Sequence, residues 1–215
     1  MTWKTKPTDR FVLRFIKLYL SAPVSTALVR LCPKIKPAVL TFCAAGIGIG
    51  GGVAFGLGCA WMGGLLAAFA QVLDGVDGQV ARLTGKVSSR GALLDSVLDR
   101  YMDFALLFGI FFHCLRYSSR PGNEEGIISL GWLILSAALA AAGSSQVSYF
   151  TARAASLALD FKRPELAGKG SRTAAIIICG LLTPLWIHFP LVALLYLAVH
   201  PNIAIIISMV KLKSH

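Results

Sequence analysis

Six apolar windows, at 38–57, 61–81, 92–115, 127–152, 173–188 and 190–210, run through a chain of 215 residues. Each has roughly the 17–25 residues that a helix needs to cross a hydrocarbon core about 30 Å thick. Backbone amides in lipid find no water to bond, so segments of this kind fold as helices. Only Pro184, His188 and Pro190 mark the boundary between the last two windows, and the sequence predicts a short turn at His188-Phe189-Pro190. The expected fold class is all-α integral membrane, with six transmembrane helices. Composition agrees, because 56% of residues are apolar and the mean hydropathy is +0.70, where soluble domains hold roughly 45–50% apolar residues.

Charge placement sets an orientation. Lys4, Lys6, Arg10, Arg14, Lys17, Arg30, Lys34 and Lys36 precede the first window, and Arg82, Lys86 and Arg90 lie between the second and third. Arg153, Lys162, Arg163, Lys169 and Arg172 lie between the fourth and fifth, and Lys211 and Lys213 close the chain. The alternate loops hold Arg116 and Arg120, offset by Glu124 and Glu125. This alternation predicts a multi-pass protein with both termini cytoplasmic. The formal charge of +11 arises with only 14% charged residues. It therefore reflects scarce acids and loops that lie on anionic lipid, and it excludes the dense basic surface of a nucleic-acid binder.

Residues 1–36 form a cytoplasmic N-terminal segment, and 37–215 a six-span domain. Within the first, residues 8–31 place Phe11, Val12, Phe15, Ile16, Leu18 and Tyr19 among Arg10, Arg14 and Lys17. That spacing predicts an interfacial amphipathic helix, with a helix packed on the spans as the plainer alternative. The first apolar stretch is broken by Arg14 and Lys17, unlike the core of a cleavable signal. Cys32, Cys43, Cys59, Cys114 and Cys179 have no ligand spacing and read as small buried hydrophobes. The run Gly46, Gly48, Gly50, Gly51 and Gly52 predicts close helix approach rather than a phosphate loop, since it lies mid-span with no lysine after it.

Against this apolar background stands LDGVDGQVARLTGKVSSRGALLDSVLDR, residues 73–100. Asp74 and Asp77 are three apart and Asp95 and Asp99 four apart, so each pair shares a helix face. Both pairs fall at the cytoplasmic ends of the second and third spans. One acid at a helix centre in a bilayer costs about 2.5–3.5 kcal/mol, so these four need positive charge among them. Arg82, Arg90 and Arg100 can supply it as an ion-pair network. A divalent cation is the better match, because Mg²⁺ and Mn²⁺ take oxygen ligands and complete their shells with water and phosphate. Gly75, Gly78, Ala81 and Gly91 leave room for a base and a diphosphate.

Asp74-x-x-Asp77-Gly78-x-x-Ala81-Arg82, eight residues, then Gly91-x-x-x-Asp95-x-x-x-Asp99 resembles the signature of the CDP-alcohol phosphotransferases. The six-span layout resembles that family as well. The resemblance implies that Asp74, Asp77 and Asp95, with Asp99 beside them, hold Mg²⁺ or Mn²⁺, as two ions bridging the diphosphate of a CDP-linked donor. It implies that Asp99 is the general base toward the acceptor hydroxyl. Gly78, Ala81, Arg82, Gly91 and Thr41 are the implied nucleotide and donor contacts, and a homodimer in the lipid bilayer is the implied assembly. Where family members commonly show Pro-Asn-x-x-Thr, this chain has Pro37-Ala38-Val39-Leu40-Thr41. Asp103 extends the Asp95, Asp99 stripe and is expected to pair with Arg100 or a loop base.

Tyr149, Arg153, Lys169 and Arg172 flank the loop between the fourth and fifth spans. Arginine forks suit phosphate, so Arg153, Arg172 and Lys169 are the expected contacts of a phosphorylated acceptor, with plain lipid-headgroup contact as the alternative. The arrangement resembles the phosphatidylinositol phosphate and phosphatidylglycerophosphate synthase branches, although Ala155 stands where a glutamate often follows Arg-Ala. The expected reaction moves a substituted phosphate from CDP-diacylglycerol to inositol phosphate and releases CMP. Glycerol 3-phosphate, an unphosphorylated alcohol or a CDP-polyol donor are variants of the same chemistry. A cation or proton transporter would spread its acids through the membrane depth, whereas these gather at one end. A non-catalytic scaffold gives no reason for their spacing.

Overall fold

The computed structural model describes residues 16–32, 35–118, 129–157, 159 and 168–211. All regular structure in these residues is helical. A π-helical turn, Ile16–Ser21, runs into α1, Ala22–Leu31. Six longer helices follow: α2, Pro37–Gly56; α3, Ala60–Leu83; α4, Ser89–Ser118; α5, Leu130–Ser156; α6, Lys169–Leu182; and α7, Phe189–Lys211. Five of the six apolar windows thus become helices with nearly the expected bounds.

The fifth differs. Its helix ends at Leu182 instead of continuing to 188, and a turn fills 183–188. Pro184 has no N–H to continue the ladder and stands just beyond the capping Thr183, which is where proline stops helices. The 14 residues of α6 rise only about 21 Å. Among the described residues, Pro37–Gly56, Leu130–Ser156 and Phe189–Val210 are the helices fit by length and apolar composition to cross a membrane. Polar residues of the acidic motif dilute α3 and α4, the other two long helices.

The helices that carry the acids meet through a third. Both α3 and α4 pack along α2 but touch one another little, while α6 lies on α3 and α5 on α7. The core is correspondingly rich in small residues, with Ala60, Ala67, Ala70, Ala140 and Ala193 set among Phe55, Leu106, Ile110, Leu133, Leu194 and Leu197. Gly52 of α2 and Gly109 of α4 face one another backbone to backbone. A Cβ on Gly109 would overlap the Gly52 carbonyl, and one on Gly52 the Ala105 carbonyl. Gly46 and Gly50 have nothing within 4 Å of that position, so only part of the glycine run serves approach. Gly109→Ala is expected to destabilise by about 1–3 kcal/mol through overpacking, while Gly46→Ala stays within about 0.5 kcal/mol. Unfolding midpoints in detergent check both.

The ends of α2 and α3 are closed alike. Lys86 N–H donates to Ala81 O at 2.8 Å and Gly85 N–H to Arg82 O at 3.4 Å, with Gly85 at φ +67°. This is a glycine-terminated C-cap, and it turns the chain sharply from α3 toward α4. The π-helical turn and α1 lie against α3. Ser21 Oγ donates to Val72 O at 3.0 Å and Ser25 Oγ to Gln79 Oε1 at 2.5 Å. Tyr19, Leu20, Val24 and Leu31 remain exposed. The helix thus packs on the bundle through one face and presents apolar side chains on the other; Phe11, Val12 and Phe15 lie outside the described residues. Among the cysteines only Cys114 is buried, Cys32, Cys43 and Cys59 are exposed, and all five are free. The exposed three correct the expectation of burial: Cys43 lies on an outward face of α2, and Cys32 and Cys59 lie in the connections after α1 and before α3.

Candidate active site

Because α3 and α4 diverge from their common support on α2, their acid-bearing ends enclose a cleft. A cavity of about 530 Å³ opens there, and its lining includes Thr41, Asp74, Asp77, Gly78, Ala81, Arg82, Gly91 and Asp95. All five residues expected to contact the nucleotide and donor therefore share one cavity with three of the four aspartates. Lys36, Pro37, Ala38, Lys86 and Ser88 complete much of the rim. Gly78 and Gly91 widen it by lacking side chains: a Cβ on Gly78 would approach the Arg82 guanidinium to 3.7 Å and one on Gly91 the Ser88 hydroxyl to 3.1 Å.

The carboxylates are positioned from several helices. One carboxylate oxygen each from Asp74, Asp95 and Asp99 lies within 4.8 Å of the others, a set that could hold a metal ion. All three are half-buried, and oxygen donors from two helices are what Mg²⁺ and Mn²⁺ prefer. Asp77 is turned differently. Its Oδ2 accepts the Thr41 hydroxyl at 2.6 Å, and its Oδ1 accepts the Gly78 N–H. Thr41 thereby orients an acid as well as lining the cavity. Gln71, one turn before Asp74, donates from Nε2 to Asp74 Oδ2 at 3.3 Å. Gln71 is not among the residues expected at the site, although its i,i+3 spacing to Asp74 places both on one helix face.

A second cavity, of about 400 Å³, lies on the other side of the acids. Ser96, Asp99 and Arg100 of α4, Ser148 and Thr151 of α5, and Lys169 and Arg172 of α6 are among its lining. Lys169, the first residue of α6, reaches Asp74 Oδ2 at 2.9 Å and Asp99 Oδ1 at 2.5 Å. Arg172 is buried and bonds Asp103 Oδ2 at 3.2 Å, and Arg100 bonds the same oxygen at 2.6 Å. The expected Arg100 partner of Asp103 is thus present, joined by an arginine from α6. Arg153 is exposed and stands outside this lining, so of the three expected acceptor contacts Lys169 and Arg172 meet at the cavity and Arg153 does not.

The opposite end of the bundle is of another kind. Trp61, Trp132 and Trp186 are about half exposed or more and lie at the first turns of α3 and α5 and in the turn before α7. That is where interfacial tryptophans sit.

The fold and sequence have known counterparts. The chain is 33% identical over 205 residues to a phosphatidylinositol phosphate synthase of Cutibacterium acnes, covering 89% of this chain and 91% of that protein. It is 37% identical over 101 residues to a bifunctional IPC transferase and DIPP synthase of Archaeoglobus fulgidus, a match to 46% of this chain and only 19% of that longer protein. Crystal structures of the phosphatidylinositol phosphate synthase of Mycobacterium tuberculosis share the fold. With CDP-DAG bound, the TM-score is 0.73 at 21% identity over 93% of this chain and 94% of that one. In complex with manganese and citrate, the TM-score is 0.71 at 20% identity over 89% of this chain and 88% of that one. The all-helical, multi-pass membrane architecture read from the apolar windows is the architecture of these proteins. Residues 34–210, which include every residue of the acidic motif and both cavities, match the CDP-alcohol phosphatidyltransferase family, and the chain belongs to it.

Proposed function

We propose that this enzyme transfers a phosphatidyl group from CDP-diacylglycerol to a hydroxyl of inositol phosphate and releases CMP on the cytoplasmic face. The observation that carries this reading is the division of the acids between two cavities. Asp74, Asp77 and Asp95 line one with the glycines and Arg82, whereas Asp99 lines the other with Lys169 and Arg172. A nucleotide donor and a phosphorylated acceptor would each have a compartment and would meet at the carboxylates.

In this reading Gly78, Ala81 and Gly91 admit the cytidine nucleotide, and Arg82 stands beside its phosphates. Asp74, Asp95 and Asp99, with Asp77 held by Thr41, would hold Mg²⁺ or Mn²⁺, and the bound metal supplies neutralisation of charge on the donor diphosphate. Asp99 takes the proton of the acceptor hydroxyl. That oxygen forms the new bond to the donor phosphorus, and the bond from the phosphorus to the CMP oxygen breaks. Arg172, fixed by Asp103, and Lys169 receive the acceptor phosphate. The names of the similar proteins support the choice of inositol phosphate over glycerol 3-phosphate. The basic residues on the loops at this end support a cytoplasmic site, and the small-residue faces suit a homodimer.

The test is CMP release by purified protein in detergent with Mn²⁺ and CDP-diacylglycerol, against inositol phosphate, glycerol 3-phosphate, inositol and serine. Release with inositol phosphate, at a rate at least about tenfold above the others, and retention of its phosphorus in the lipid product are expected. Release with another acceptor alone would reassign the second cavity. Release with none would remove the reaction.

A further inference from the structure

Lys169 is shared by the two halves of the site. Its ammonium spans Asp74 of α3 and Asp99 of α4 at 2.9 and 2.5 Å, and the same side chain lines the second cavity. The oxygens it bonds belong to residues of the same trio, Asp74, Asp95 and Asp99, whose clustering fits a metal. A divalent cation on the trio competes with the ammonium for Asp74 and Asp99, since like charges a few ångströms apart repel.

The side chain that can yield is the lysine. Its ammonium rides on a flexible four-carbon stem, and the space it already borders, about 400 Å³, lies on the side away from the first cavity. Arg172 cannot make the same exchange, because it is buried and held by Asp103 at 3.2 Å. The second cavity therefore has one fixed cation and one whose position depends on what the acids hold.

We propose that Lys169 is an exchangeable counter-ion: it neutralises Asp74 and Asp99 while they hold no metal, and turns into the second cavity, toward an anionic phosphate, when a divalent metal takes those carboxylates. The proposal rests on the metal-dependent reading above and adds an order to it. Metal loading frees the cation that completes the acceptor compartment. By linkage, phosphate in that compartment keeps Lys169 away from the acids and strengthens metal binding to the same degree. An enzyme built in this way guards against engaging the acceptor before the donor side is charged with metal.

Mn²⁺ binding, followed by electron paramagnetic resonance on purified protein in detergent without donor, tests this with inorganic phosphate as the probe. Lys169→Met is expected to bind Mn²⁺ about tenfold tighter than the native protein, and Lys169→Arg to stay within about twofold of it. Inorganic phosphate is expected to tighten Mn²⁺ binding severalfold in the native protein and to leave Lys169→Met unchanged. Lys169→Gln, which keeps a polar head, stands in if the methionine variant does not fold. Affinity in the neutral variants equal to or below the native value overturns the proposal, and so does an equal phosphate effect in both. If Mn²⁺ binding depends on Asp74 but is indifferent to Lys169, the exchange alone falls. If Asp74→Asn and the native protein bind Mn²⁺ alike, the metal centre falls and the exchange with it.

Discussion

At saturating Mn²⁺, Asp99→Asn is expected to lower CMP release by about a thousandfold, in the middle of the range that a positioned general base contributes, while CDP-diacylglycerol binding at the same metal saturation changes by no more than about threefold. Asparagine keeps the shape of the side chain and an oxygen for Lys169, which now bonds Asp99 Oδ1 at 2.5 Å, but it cannot take a proton. The asymmetry of the site makes the separation possible: Asp99 lines the second cavity and is absent from the lining of the first. Single-turnover CMP release and equilibrium donor binding, measured on the same preparation, distinguish the two effects. Turnover within tenfold of the native enzyme would remove Asp99 as the base.

Much of this arrangement was legible in the residues. Helices through lipid are dictated by apolar length, so the windows marked the bundle, and the motif resemblance marked Asp74, Asp77, Gly78, Ala81, Arg82, Gly91 and Asp95, which line one cavity together with Thr41 from the separate Pro37–Thr41 stretch. Lys169 escaped because its role depends on contacts between distant segments. Lys169 is 95 residues from Asp74 and 70 from Asp99, and nothing in its local sequence distinguishes an acid-bridging lysine from a loop cation. The exposure of Arg153 follows from the rotation of α5 about its axis, and 27 residues of low polarity leave that rotation unspecified. The early end of α6 was signalled by Pro184 but masked by Leu185, Trp186 and Ile187, which extend the apolar window past the turn. Asp103 shows the opposite case, because its Arg100 partner is local and its Arg172 partner is not.

Asp74→Asn and Asp95→Asn are expected to weaken Mn²⁺ binding by at least about a hundredfold, the upper end of what loss of an outer-shell partner costs, and to reduce CMP release in parallel. Each variant removes one charge from the trio whose oxygens lie within 4.8 Å of one another. Asp74→Asn also removes the ion pair with Lys169 at 2.9 Å, leaving the lysine on Asp99 at 2.5 Å and a metal without one of its carboxylates. Thr41→Val acts one step removed, by releasing Asp77 from its 2.6 Å hydrogen bond, and serves as the milder comparison.

If these aspartates form a metal-dependent phosphotransfer centre for a CDP-linked donor, CMP release has to follow the metal. It is measured with CDP-diacylglycerol and inositol phosphate, for the native protein and Asp74→Asn, in excess chelator and again after Mn²⁺ is restored. No release is expected in chelator from either protein, with recovery on Mn²⁺ in the native protein alone. Equal release with and without metal, or full recovery in Asp74→Asn, would contradict a metal-dependent centre at these aspartates.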